Sequence, residues 1–210
     1  MPRNVFITGG TGYIGRHLIP ELLARGHTVR ALVRSEAKLP DGAIAVKGNA
    51  LDRATFASQV APSDTFIQLV GVAHPSPAKA QQFREVDLVS ARESVAAARD
   101  SGVEHFIYLS VAQPAPVMQA YVEVRAEGER MIRDSGMRAT FVRPWYVLGP
   151  GHRWPYLILP LYWLAMLAPK SRETARRLYP VTLARVVRAL ADAVDASPDA
   201  VRLIEADAMR

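Results

Sequence analysis

The run Thr8-Gly9-Gly10-Thr11-Gly12-Tyr13-Ile14-Gly15 is where residue type and spacing speak most directly of chemistry. It follows a short apolar run and opens a helical pattern. The spacing Gly9-x-x-Gly12-x-x-Gly15 differs from the G-x-G-x-x-G form but meets the same physical demands. One glycine allows a tight turn, one lets backbone N–H groups approach a pyrophosphate, and one lets helix and strand pack closely. The helix that follows aims its partial positive charge and free N–H groups at the phosphates. Gly9, Thr11, Gly12, Tyr13, Ile14 and Gly15 are therefore expected to hold the diphosphate of a dinucleotide. No Gly-Lys-Ser/Thr follows, which disfavours a Walker-type site.

A second signal lies about 20 residues on, where such a fold places an acid on the ribose 2′-hydroxyl or an arginine near a 2′-phosphate. The strand Thr28-Val29-Arg30-Ala31-Leu32-Val33-Arg34 has no acid at its tip. Arg34, helped by Lys38 and by Arg16 inside the first helix, suits a phosphate. The sequence favours NADP, and Glu36 keeps NAD open as the alternative. Metal chemistry is not expected: the chain has no cysteine, and its five histidines include no pair at ligand spacing.

These residues need a frame to position them. Residues 4–8, 27–34, 43–48, 64–72, 105–111 and 139–147 are β-branched or aromatic-rich and bounded by Gly, Pro, Asp or Ser. Helical spacing appears between them, at Ile14, Leu18, Leu22 and Leu23 and again at Phe83, Val86, Val89 and Val95. This alternation predicts an α/β fold: a Rossmann-type, doubly wound parallel sheet with helices on both faces and a short C-terminal helical extension. Residues 1–150 read as the nucleotide-binding domain. Residues 151–210 read as an extension, a lid or substrate region packed on the same domain. In it, residues 182–195 form an amphipathic helix with Thr182 at its N-cap, and 201–205 suit an edge strand.

Residues 154–169 carry no charge over 16 positions, but Pro155, Pro160 and Pro169 interrupt them. The run is too short for a membrane span. A buried helix or a lid over a pocket is the reading taken, with a homodimer contact or a membrane-surface contact as alternatives.

Composition bounds the rest. The chain has 210 residues, half of them hydrophobic and 22% charged, which is the profile of an ordinary globular protein. The net charge of +6 comes from scattered basic residues without interleaved aromatics, so a nucleic-acid partner is not expected. The N-terminus lacks the apolar core of a secretory signal, and a cytoplasmic location is expected.

The order of motifs resembles the atypical and extended short-chain dehydrogenase/reductase superfamily. It is closest to the branch of NmrA-like and complex-I-accessory-subunit-like proteins, relatives of the NAD-dependent epimerases and dehydratases. The resemblance covers roughly residues 3–150. It rests on residues 8–15, on Lys47-Gly48-Asn49-Ala50-Leu51-Asp52, on Leu69-Val70-Gly71-Val72-Ala73, and on Gly102 to Ser110. Tyr121-x-x-x-Arg125 and Arg143-Pro144-Trp145-Tyr146-Val147-Leu148-Gly149-Pro150-Gly151 complete it. It implies that Asn49 and Ala50 hold the adenine, with Asn49 standing where the family has an acid. It implies that Gly71 and Ala73 pass the ribose, and that Pro144 shapes the nicotinamide side.

The family's catalytic pair is Tyr-x-x-x-Lys on a helix, where the cation lowers the tyrosine pKa and holds the ribose. Tyr121 and Arg125 keep that spacing, but an arginine fork cannot shuttle protons as an ammonium can. The serine that orients the substrate falls on Val111, with Ser110 beside it as a weaker candidate. His74 reads as a solvated loop histidine, with acid–base work at the site mouth as the alternative.

Two functions follow. One is an NADP(H)-dependent oxidoreductase acting on a small apolar carbonyl, a quinone or a lipid-like substrate. Its pocket would be capped by Trp154, Tyr156, Leu157, Tyr162 and Trp163. The other is a non-catalytic NAD(P)-binding sensor or assembly protein with a degraded active site.

Overall fold

A computed structural model describes residues 1–36, 38–151, 157, 159–196 and 198–209, and only the backbone of Lys170. The chain runs β1 (Asn4–Thr8), α1 (Gly15–Ala24), β2 (Thr28–Val33), β3 (Ile44–Lys47) and β4 (Thr65–Gln68). Then come α2 (Ala80–Gln82), a π-helical stretch Phe83–Leu88, α3 (Val89–Asp100), β5 (His105–Leu109), α4 (Gln119–Asp134) and β6 (Arg138–Arg143). The remainder is β7 (Val147–Leu148), α5 (Leu159–Leu167), α6 (Pro169–Arg177), β8 (Val181–Thr182), α7 (Leu183–Asp195) and β9 (Val201–Glu205).

Seven strands form one sheet in the order β3-β2-β1-β4-β5-β6-β9, and every pairing in it is parallel. This is the Rossmann-type, doubly wound α/β arrangement expected from the sequence. The residues predicted as a last strand, 201–205, form β9 and extend the sheet beyond β6.

Parallel strands covered on both faces must be apolar on both faces, and β1 shows how the two cores divide. Val5 and Ile7 point to one side, toward Leu18, Ile19 and Leu22 of α1 and Val186, Leu190 and Val194 of α7. Phe6 points to the other, where Phe66, Phe106 and Phe141 meet α3 and α4. Parallel register places Phe6, Phe66 and Phe106 side by side on β1, β4 and β5, their rings stacked at 5.2 Å between neighbours. On the same face Gly128 lets α4 press onto β5, since a Cβ there would lie 2.5 Å from the Tyr108 hydroxyl.

Two local expectations differ from the structure. Thr182 occupies the N-cap of α7, but its side chain makes no capping hydrogen bond. Residues 79–100 do not form one α-helix. The π-helical turn adds a residue to the repeat and shifts which side chains face inward. Phe83 and Asp87 are buried there, whereas Val86 and Val89 are only half-buried.

His105 opens β5 in the interior, with Nε2 2.9 Å from the Thr140 hydroxyl. Burial, reinforced by the charges of Arg138 and Arg3, pulls its pKa from 6.5 down to about 4. The unfolded chain therefore binds a proton between these values that the folded chain does not. The stabilisation is complete above pH 6.5 and is lost as pH falls toward 4, by about 3 kcal/mol. Urea unfolding at stepped pH is expected to show this slope, and His105→Gln to flatten it.

Candidate functional site

Sheet order reverses between β1 and β4, because the chain leaves β1 toward β2 on one side and later returns to lay β4 on the other. Ligands of such sheets sit in the crevice at the carboxyl ends of the strands there. The glycine run spans this point. Gly9 adopts φ +76°, and a Cβ on it would stand 2.8 Å from the Leu69 carbonyl carbon and 2.9 Å from the Val70 nitrogen. A Cβ on Gly15 would stand 2.5 Å from the Gly10 oxygen. The loop closes on itself through the Gly12 amide donating to the Gly9 carbonyl at 3.0 Å. At the start of α1, neither a capping side chain nor an acidic residue offsets the helix's positive end. Together these features make a backbone-lined cradle for an anion.

A crevice of about 300 Å³ opens beside this loop. Gly9, Thr11, Gly12, Arg34, Asn49, Ala50 and Gly71 all line it, so residues from four separate turns meet at one place. Leu32, Leu69 and Val86 supply apolar wall. Tyr13, Ile14 and Gly15 support the loop without lining the crevice. Arg34 also lines an adjoining depression with Lys47 and Thr55, and makes no ion pair among the described residues. Lys38 and Ala73 are exposed and do not border the crevice, and the Ala73 carbonyl accepts from Lys79 Nζ at 2.7 Å. Arg16 lies over the Tyr13 ring at 5.4 Å. Asn49 Oδ1 accepts from the Leu51 amide at 3.1 Å, which folds the loop that forms the crevice floor.

Beyond Gly71 the character changes. Arg125 is 3% exposed, and its guanidinium serves the protein itself. Nη2 donates to Asp87 Oδ1 at 2.6 Å and Nη1 to the Leu109 carbonyl at 2.9 Å. Asp87 Oδ2 accepts from the Val72 amide at 2.9 Å. Burial pushes the Asp87 carboxyl above its ordinary value, against the pull of Arg125. This pair joins the end of β5, the loop after β4, the π-helical turn and α4. It passes directly beside Gly71, where any side chain would strike Arg125 Nη2.

Arg125 also lies over the ring of Tyr121, at 5.2 Å from its centroid. Tyr121 is half-buried, 5.0 Å from the Phe83 ring, and joins an apolar cluster with Val111, Ala112, Val122 and Leu178. Trp145 and Tyr162 pack against the same cluster. Pro144 is buried, with its carbonyl accepting from Ala112 at 3.0 Å. Of the aromatic cap expected from the sequence, Trp154 and Tyr156 lie outside the described residues.

Ser110 is turned away from Tyr121's cluster into a second buried network. Its hydroxyl donates to Glu129 Oε1 at 2.6 Å. Glu129 also accepts from Gln113, Arg133 and Arg143, and Arg143 continues to Glu205 on β9. Neither Asp87 nor Glu129 stands out in the sequence. A buried arginine implies an acidic partner, but nothing in the local sequence marks position 87 as that partner.

Removing one member of a buried ion pair strands the other. Asp87→Ala is expected to cost about 3–5 kcal/mol in urea unfolding. Gly71→Ala, which collides with Arg125, is expected to be destabilised in the same assay, whereas alanine at the exposed Lys38 leaves the midpoint unchanged.

Comparison with known proteins agrees with this geometry. Residues 9–153 match a family described as NAD(P)H-binding. A 4-hydroxy-2-methyl-3-oxo-4-farnesyl-3,4-dihydroquinoline-1-oxide ketoreductase of Stigmatella aurantiaca is 28% identical over 170 residues, 70% of this chain and 51% of its own length. A ceramide reductase of Caulobacter vibrioides is 29% identical over 82% of this chain and 55% of its own length. The chain thus spans about half the length of these curated relatives. The Bordetella bronchiseptica enzyme WbmH, solved in complex with NAD+, superposes with a TM-score of 0.71 at 21% identity, over 97% of this chain and 75% of the other. With a matched family region that begins in the glycine loop and runs past β7, the chain is a member of the NAD(P)H-binding family.

Proposed function

We propose that the chain is an NADP(H)-dependent oxidoreductase that reduces a small apolar carbonyl compound or a quinone. The observation that carries this reading is the crevice beside the glycine loop, lined by Arg34, which makes no ion pair among the described residues, and by Gly71, against which the Arg125 that lies over Tyr121 is packed. The glycine loop and the α1 N-terminus would hold the diphosphate, Asn49 and Ala50 would border the adenine, and Arg34 would meet the 2′-phosphate. NAD lacks that phosphate and would leave Arg34 without a ligand. When bound, the reduced nicotinamide supplies a hydride to the carbonyl carbon. The Tyr121 hydroxyl then gives its proton to the carbonyl oxygen and regains one from solvent. Arg125 acts as a positioning residue, fixed by Asp87 and holding its charge over the tyrosine ring.

Support also comes from the printed activities of the relatives, which include a ketoreductase and a ceramide reductase. A cytoplasmic location goes with this reading.

Specific observations favour a second reading, a cofactor-binding protein without turnover. Val111 is buried where the family orients its substrate, Ser110 is committed to Glu129, and both Nη groups of Arg125 are committed to the protein. The two readings separate cleanly in solution. Under the enzyme reading, Tyr121→Phe abolishes most NADPH oxidation with apolar ketones or quinones and leaves NADPH affinity unchanged. Under the binder reading, the wild-type chain binds NADPH yet oxidises none above background with that panel.

Cofactor choice has its own test. Loss of a charge-assisted contact to a phosphate costs about 1.5–3 kcal/mol, or roughly tenfold to a hundredfold in affinity. Arg34→Ala is expected to weaken NADPH by that factor and NADH hardly at all, as read by calorimetric titration. Equal weakening of both would remove Arg34 as the discriminator.

A further inference from the structure

The helix α5 breaks the usual rule for its composition. From Leu159 to Leu167 it is apolar around its whole circumference and carries no charge, and helices of that kind are ordinarily buried. None of its residues is buried here. Leu161, Leu164 and Leu167 are 63%, 64% and 74% exposed, and Leu157 just ahead of the helix is 82% exposed. Leu161 and Leu164, three positions apart within the helix, share one face of it. The helix is roughly 14 Å long, far short of a bilayer core. Among the described residues, no helix is long and apolar enough to cross a membrane.

The helix that follows has the opposite chemistry. α6 carries the exposed Arg172 and Arg176, while Arg177 is partly buried and paired with Glu173, its one acid, at 4.0 Å. The two helices are tied at the turn: Arg172 Nε donates to the Met166 carbonyl at 3.0 Å and the Ser171 hydroxyl to the Ala165 carbonyl at 2.6 Å. On the inner side, Tyr162 of α5 and Leu178 after α6 pack into the cluster around Tyr121. The hairpin is therefore anchored on the apolar cluster that also holds Tyr121, with its leucines exposed.

Exposed leucines flanked by cations match the boundary between acyl chains and anionic headgroups. A second copy of this chain is a poorer match. Twofold symmetry presents the same patch from both sides and would bring like guanidinium groups together. We propose that the α5–α6 hairpin docks on an anionic phospholipid surface, with the leucines seated at the acyl boundary and the α6 cations on lipid phosphates. Docked this way, the hairpin would lie between the lipid surface and the apolar cluster that holds Tyr121, close to where an apolar substrate partitions. That last consequence rests on the reductase reading, while the docking itself does not.

The test is co-sedimentation of the full chain with vesicles of phosphatidylcholine alone or of an equimolar mixture with phosphatidylglycerol. Binding is expected to the mixed vesicles only and to weaken as salt is raised. Leu161→Gln with Leu164→Gln, and separately Arg176→Glu, are each expected to lower partitioning by about tenfold or more. A wild-type chain with native circular dichroism that ignores the mixed vesicles overturns the proposal, as does equal binding to both vesicle types. Self-association of the wild type that the double leucine variant abolishes, without vesicle binding, assigns the face to a second copy and also overturns it. NADPH titration of the same samples reads the cofactor site independently, so failure of one reading is distinguishable from failure of the other.

Discussion

The turn after β1 must bring bare backbone against bare backbone, and the rest of the site depends on that approach. Gly9 lies so close to the end of β4 that even a methyl group would enter the Leu69 peptide, and Gly15 is packed as tightly against Gly10. The close approach directs the N-terminus of α1 into the gap between β1 and β4, where sheet order reverses and no neighbouring helix fills the space. An anion-binding helix end and an open crevice thus arise from one steric requirement. The other crevice residues come from the ends of β2, β3 and β4, which parallel register brings level with the loop.

A second constraint governs the far half of the site. The Asp87–Arg125 pair is taken out of water, and its Nη atoms and carboxylate oxygens find partners in each other, the Leu109 carbonyl and the Val72 amide, with two tyrosine rings beside the guanidinium. Such pairs seldom add net stability over apolar packing but fix geometry. Here the fixed objects are the loop that carries Gly71 and the helix that carries Tyr121. Glu129 does similar work one layer away, tying β5, α4, β6 and β9 together through Ser110 and Arg143. Arginine at position 125 fits this role better than lysine would, since only a guanidinium reaches Asp87 and the Leu109 carbonyl at once.

The crevice and the hairpin place two physical regimes side by side. At the glycine loop the surface is polar, backbone-lined and electropositive, suited to a diphosphate. Past Gly71 the surroundings are aromatic and aliphatic, and the hairpin above them carries more apolar surface outward. A hydride donor held in the first regime would meet an apolar acceptor in the second, and the boundary between them is the Arg125 guanidinium.

Much of the fold was legible because its signals are local. Apolar runs bounded by Gly, Pro or Asp marked the strands, and β1 and β9 fall on the residues predicted for them. The glycine spacing identified the loop, since no other residue type permits that approach. The limits of local reading appear at Phe83–Leu88. A π-helical turn changes the period without changing composition, so Asp87 went inside while Val86 came to the crevice wall. The same holds for Ser110 and Glu129, which lie 19 positions apart and meet only because α4 crosses β5. The sequence by itself determined the alternation of elements, the glycine turn after β1 and the four-residue spacing of Tyr121 and Arg125 on one helix, because each depends on neighbours within a few residues. Tertiary structure alone decided that Arg125 is bound to a carboxylate and that, among the described residues, Arg34 makes no ion pair beside the crevice and the apolar helix α5 stays uncovered. Those outcomes depend on which distant charges and surfaces packing brings into contact.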